Sequence, residues 1–165
     1  MAHNTIETDV SPYRLLFMGR AWYLIGLSSL HGEVRTLKLD RLVSAEVLDE
    51  PIEPDPEFDL DAHLGGAWQM IPEGQTYHVR LRFLPKVAGN VEEIAWHKTQ
   101  RFTVLPDGSC LFEADVDGLG EITWWILGYG DQVVVEDPPE LRERIGQIGL
   151  RVAEMAGVRR PDPPT

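Results

Sequence analysis

The chain has 165 residues, 43% of them hydrophobic and 25% charged, enough apolar material for one ordinary domain or two small ones. Its formal net charge of -12 argues against the whole chain as a duplex-DNA binder, because phosphate neutralisation dominates such affinity. No apolar run reaches the ~18 residues of a membrane span, the N-terminus lacks the apolar core of a secretion signal, and the one cysteine, Cys110, permits neither an internal disulfide nor a thiolate zinc cluster.

Residues 1–11 are expected to be loosely ordered, with 5–10 able to extend into a strand leading to Pro12. Residues 13–18 read as a strand, and Gly19 with Arg20 as a turn. Residues 20–26 form the next strand, with Trp22 and Leu24 on one side and Tyr23 and Ile25 on the other. The polar stretch 28–33, holding Gly32, suits a hairpin turn. Residues 34–42 then form a strand with Val34, Thr36, Lys38 and Asp40 on one face and Arg35, Leu37, Leu39 and Arg41 on the other. Residues 43–48 alternate as a further strand or an extension of the strand holding Arg35. Three or four strands are too few for a closed barrel, so this part reads as a partial one.

Arginine on a leucine face is costly unless it meets an anion or lies at a rim. Two readings stand. In one, Arg35 and Arg41 hold a phosphate or carboxylate while Tyr23 and Trp22 offer stacking surface. In the other, the arginines reach water or pair with Asp40 and Glu46.

The linker follows. Residues 49–61 contain seven acids, no base, and prolines at 51, 54 and 56. It should be extended, exposed and cleavable. If it packed against the arginine strand instead, it would compete with an anionic ligand. The bases concentrate before it: Arg14, Arg20, Arg35, Lys38 and Arg41 face only Glu33, Asp40 and Glu46 between residues 12 and 48. A short helix over 59–68 carries Leu60, His63, Leu64 and Trp68 at roughly helical spacing, weakened by Gly65-Gly66, and residues 72–74 mark a turn.

The second half is regular. Residues 77–83 read as a strand, 85–97 as a helix opened by Pro85, 100–105 and 109–116 as a hairpin around Pro106-Asp107-Gly108, 118–129 as a helix, and 132–136 as a strand centred on Val133, Val134 and Val135. The order βαββαβ matches the ferredoxin-like split βαβ. A last helix begins at Pro138-Pro139, and its Leu141, Ile145, Ile148, Val152 and Met155 make a narrow seam that suits either its own sheet or a dimer partner. Of Trp124 and Trp125, adjacent on one helix, only one can face inward.

Trp22-Tyr23-Leu24, preceded by Pro12-Tyr13-Arg14-Leu15-Leu16 and followed by Arg35-x-Leu37-x-Leu39-Asp40-Arg41-Leu42, resembles a WYL domain. The resemblance implies a small Sm-like or SH3-like barrel, usually found behind a winged helix-turn-helix in bacterial transcriptional regulators. Residues from Tyr77 onward resemble the C-terminal extension found behind such domains, for which a ferredoxin-like fold is implied. The expected architecture is therefore α+β: a partial WYL barrel over 1–48, an acidic linker and short helix over 49–75, and a ferredoxin-like extension with its terminal helix over 76–165.

No phosphate loop, nucleophile elbow or His-Glu-x-x-His motif is present, and no histidine pair (among His3, His31, His63, His78 and His97) has ligand spacing on a clear element. The alternating acids at 55, 57, 59 and 61 lack the glycine and closing glutamate of a calcium loop. The expectation is a cytoplasmic, non-enzymatic, cofactor-free effector module. The resemblance implies a single-stranded nucleic acid or nucleotide-like ligand, and a helix-turn-helix partner domain in a full-length protein. Tyr23, Arg35 and Arg41 are the central candidates for that ligand, with Tyr13, Ser29 and His31 at the rim. Trp22 and Leu24 are expected in the core. A homodimer is expected, and the alternative function is an assembly module that binds no ligand.

Overall fold

Alternating side chains build three strands before residue 40: β1 (Val10–Met18), β2 (Ala21–Ser28) and β3 (Glu33–Lys38), paired antiparallel in that order. This computed structural model describes residues 5–52 and 55–158, and its chain divides into a unit ending at Leu64 and a unit beginning at Gly65. His3, and parts of the expected N-terminal stretch, linker and C-terminal tail, lie outside the described residues.

Gly19 and Arg20 both take positive φ, 56° and 67°, as a two-residue hairpin turn between β1 and β2 requires. The β1 register shifts between Pro12 and Arg14, leaving Tyr13 as a bulge. Gly26 lets β1 close in: a Cβ there would stand 2.4 Å from the Ser11 carbonyl oxygen. Two expectations fail. The third strand stops at Lys38, and Leu39–Arg41 form a 3-10 turn closed by Leu42 N–H donating to the Leu39 carbonyl. Residues 43–48 form no strand and lie exposed, Val47 at 95%.

One face of this sheet is packed. It carries fully buried Ile25, cross-strand neighbours Thr36 and Arg14, and half-buried Tyr23 and Leu16. Across it runs the end of the acidic segment and α1 (Leu60–Leu64), shorter than expected because Gly65 and Gly66 follow. Asp59 caps α1 by accepting from Asp61 N–H at 2.8 Å and Ala62 N–H at 3.2 Å. Residues 49–52 have no regular structure and are exposed. The opposite face shows Leu15, Phe17 and Trp22 to solvent, Trp22 at 46%. Trp22 is therefore not core: a single three-stranded sheet with cover on one side leaves the other side wet.

The second unit runs β4 (Thr76–Phe83), α2 (Pro85–Glu92), β5 (Arg101–Val104), β6 (Cys110–Asp117), α3 (Gly120–Leu127), β7 (Val133–Asp137) and α4 (Pro139–Met155). Its four-stranded antiparallel sheet has the order β5-β6-β4-β7. The molecule is thus mixed α and β, with two antiparallel sheets and four α-helices among the described residues. Val79, Leu81 and Phe83 are buried on one face of β4, while His78, Arg80 and Arg82 point to the other. Leu119, Ile122 and Ile126 of the α3 region join them in the core, with Val91 of α2 and Leu141 of α4. Trp125 turns inward among Trp68, Trp96, Phe83 and Phe112, and Trp124 turns outward at 72% exposure.

Helix α2 stops at Glu92, short of residue 97, because the Gln100 side chain takes over: its Oε1 accepts from Trp96 N–H at 2.6 Å and His97 N–H at 2.9 Å. In β7 only Val135 is buried, and Val134 is 48% exposed on this edge strand. Three carboxylates hold the stretch 67–75. Glu121 accepts from the N–H groups of Gln69, Met70 and Ile71. Asp117 accepts from those of Glu73, Gly74 and Gln75. Glu73 in turn accepts from Leu119 and Gly120 N–H at the start of α3, where negative charge is favoured. Gly118, at φ 90°, leaves room for Glu73; a Cβ would stand 2.5 Å from its Cγ.

Candidate functional site

The register of β2 against its neighbours decides which polar groups meet. Tyr23 sits directly opposite Lys38 on β3 and Leu16 on β1. Thr36 and Lys38 share the packed face, so Tyr23, Lys38 and Thr36 form one cluster there. Lys38 Nζ is 3.6 Å from an Asp40 carboxylate oxygen. Tyr13, at the bulge, packs its ring on Phe58 with centroids 4.9 Å apart. Phe58 also meets His63 at 5.8 Å, and the His63 Nε2 lies 3.2 Å from the Thr36 hydroxyl.

Arg35 is elsewhere. It pairs with Gly26 on the outer face, and its guanidinium contacts Glu33 at 2.5 Å. Both side chains are well exposed, so water and salt screen the pair, and it contributes no more than about 1 kcal/mol. The expected partners Asp40 and Glu46 are not the ones Arg35 uses. Arg41 leaves the strand on the 3-10 turn and is exposed. Arg35 and Arg41 therefore do not share a strand face, and Arg35 and Tyr23 lie on opposite faces of the sheet.

Ser29 and His31 occupy the loop between β2 and β3, at the far end of β2 from Tyr23. Five residues along a strand separate Tyr23 from Ser28, roughly 17 Å. There a hydroxyl cluster forms. Thr8 Oγ1 lies 2.8 Å from Ser28 Oγ, and Ser28 Oγ lies 2.9 Å from His31 Nδ1. Ser29 Oγ accepts from Asp9 N–H at 3.1 Å. An open cleft of about 420 Å³ is lined by Glu7, Thr8, Asp9, Ser29 and Leu30. Two acids and no base line it, so it suits a neutral or cationic group better than a phosphate.

The six candidates thus fall into three places: Tyr13 and Tyr23 by the packed face, Arg35 and Arg41 on exposed ground, Ser29 and His31 at the loop. Lys38, which the sequence reading left out, is the cation beside Tyr23. The period of two had already put it on the face of Thr36; the pairing with Tyr23 needed the register. Among the described residues no group of His, Cys, Asp and Glu is arranged to hold a metal ion. No described helix is long and apolar enough to cross a membrane. In the second unit, burial pushes the Cys110 thiol up to about 11, which keeps it protonated and unreactive at neutral pH.

Comparison with known proteins adds the following. The WYL domain family matches residues 2–47, and the WCX domain family matches residues 75–153. Protein PafC of Mycobacterium tuberculosis, in strains CDC 1551 / Oshkosh and ATCC 25618 / H37Rv, is 30% identical over 156 residues. That match takes in 87% of this chain and 44% of the relative, so the chain spans less than half the length of these curated relatives. Among solved structures, proteasome accessory factor B/C (PafBC) of Arthrobacter aurescens matches at 24% identity and a TM-score of 0.38, over 96% of this chain and 23% of that one.

Proposed function

This chain carries a WYL domain joined to a WCX domain, and from that premise we propose that it is the effector module of a cytoplasmic transcriptional regulator, sensing a single-stranded nucleic acid or a nucleotide-like anion. Its job in this reading is recognition rather than catalysis. The observation that carries the reading is the concentration of cations in the first unit. Arg14, Arg20, Arg35, Lys38 and Arg41 stand within a chain of net charge -12, and Lys38 stands beside Tyr23. A tyrosine face with a cation across the strand suits a base and its phosphate. Arg41, exposed on the turn that follows Lys38, extends the cationic ground for a longer strand. In a full-length protein a helix-turn-helix domain would read the promoter and this module would read the ligand.

The strand order of the second unit supports a ferredoxin-like fold for it, and the three-stranded sheet supports a partial Sm-like barrel for the first. We divide the chain accordingly into a WYL segment over 1–48, a connecting segment over 49–75 and the extension over 76–165.

The test is titration of a fluorescent oligothymidylate at several salt concentrations. Binding should weaken steeply with salt, and Lys38→Ala plus Arg41→Ala should flatten that slope by about two phosphate contacts. Binding that ignores salt and both substitutions would reject the reading.

One observation favours a second reading, an assembly module. The outer face of the first sheet exposes Leu15, Phe17 and Trp22, and the far end of α4 exposes Val152 and Met155. Apolar surface of this kind marks contact with another chain, and a homodimer is the simplest such contact.

A further inference from the structure

We propose that residues 55–64 act as an internal competitor for the ligand surface of the first unit, occupying it until an anionic ligand displaces them. The inference rests on the ligand-sensing reading above and names how that site is regulated.

Three observations carry it. The segment takes a position that a ligand would need. Phe58 already packs on Tyr13, at the rim of the packed face that holds Tyr23 and Lys38. His63 already bonds Thr36, one alternation step, about 7 Å, from Lys38 on the same face. Next, the segment carries the right charge. Asp55, Glu57, Asp59 and Asp61 give it four carboxylates, as a short run of phosphates would have four negative charges, beside a sheet face holding Arg14 and Lys38. Last, it is lightly held. Helix α1 is five residues long and buries none of them fully. Its anchors are the Phe58 contact, the His63–Thr36 bond and the Asp59 cap. Segments with so few buried contacts open at low cost. No carboxylate of residues 55–61 forms an ion pair with a base among the described residues, so displacement breaks no salt bridge.

A competitor that covers the site most of the time lowers apparent affinity by the fraction of open molecules. Freeing the site therefore tightens binding with no new contact to the ligand.

The experiment measures oligothymidylate binding by anisotropy on the full chain and two double variants. Phe58→Ala plus His63→Ala removes the anchors. Phe58→Leu plus His63→Leu removes the ring contact and the Thr36 bond with a smaller loss of volume and no change in carboxylate charge, so it decides the matter should the first variant misfold. Both should bind roughly tenfold more tightly than the parent. In the parent, the amide of His63, which donates to the Asp59 carbonyl at 2.9 Å, should exchange faster once oligonucleotide is bound. Equal affinity in parent and variants, or slower exchange at His63 on binding, overturns the competitor while leaving ligand sensing intact. No binding by any of the three proteins at low salt overturns the ligand reading and the competitor with it.

Discussion

His97 ties two loops of the second unit together and is the residue through which acid reaches it. The residue is 9% exposed, and its ring stacks on Trp68 at 5.8 Å, the planes only 7° apart. Its Nδ1 lies 2.9 Å from the Thr99 hydroxyl, which also bonds the backbone of Asp115. Burial lowers its pKa, against an opposing pull from the carbonyls of Ala67 and Gly66 and from Asp115, with Lys98 adding to the lowering. The folded chain thus holds neutral His97 at a pH where the unfolded chain has begun to protonate it. Stability gained this way is complete above the unfolded value of about 6.5. It is lost as pH falls from there through the lowered folded value. Urea midpoints measured between neutral pH and pH of about 5 should decline, and His97→Gln should remove that component of the slope while carboxylate titration below it persists. In the letters alone His97 was one of five unpaired histidines; its partners Trp68 and Asp115 are 29 and 18 positions away, and only the fold brings them together. Lys38 shows the milder case. Its face was legible from alternation, but its neighbour was not.

At the scale of elements, α4 changes character along its length. Leu141 is fully buried, Ile145 and Ile148 are half-buried, and Val152 and Met155 are 59% and 89% exposed. One evenly spaced seam thus serves the unit's own core at its start and faces water at its end. Leu141→Ala should cost about 2–4 kcal/mol in urea unfolding, whereas Met155→Ala should stay within about 0.5 kcal/mol. If the exposed end meets a second copy, light scattering at micromolar concentration gives a dimer for the parent and a monomer for Val152→Glu plus Met155→Glu, with little change in unfolding of the monomer. A parent that is monomeric throughout would confine the seam to its own unit. The second unit was readable element by element because turn chemistry and period agreed: Pro106-Asp107-Gly108 between strands, Pro138-Pro139 before a helix. The end of β3 was not. Arg35, Leu37, Leu39 and Arg41 alternate on paper, yet at Lys38 the partner strand has only Ala21 and Trp22 left before its turn. With so little strand to pair with, the chain folds into a 3-10 turn, and the supposed arginine face divides.

Across the whole molecule, the acidic connecting segment is two kinds of chain in sequence. Composition gave all of it one character: seven acids and three prolines in residues 49–61. Yet Phe58 and His63 are the residues that fold its end, each through a contact with a distant strand that composition does not reveal. The chain before it, residues 43–52, has no regular structure and exposes Val43 at 82% and Val47 at 95%. Protease susceptibility should follow this division. A glutamate-specific enzyme needs an accessible segment that can extend into its active site. Glu50 and Glu53 precede Pro51 and Pro54, whose fixed rings and missing N–H resist cleavage. Glu46, with exposed Val47 after it, should be cut first, giving a large fragment that begins at Val47. Glu57 should be cut later, because the bond after it leads into Phe58, held on Tyr13. In Phe58→Ala the second cut should catch up with the first. Digestion followed by mass spectrometry reads both times directly. Simultaneous cleavage at Glu46 and Glu57 in the parent would mean that residues 55–64 are not held on the sheet, and that the surface around Tyr23 and Lys38 stands open without any ligand.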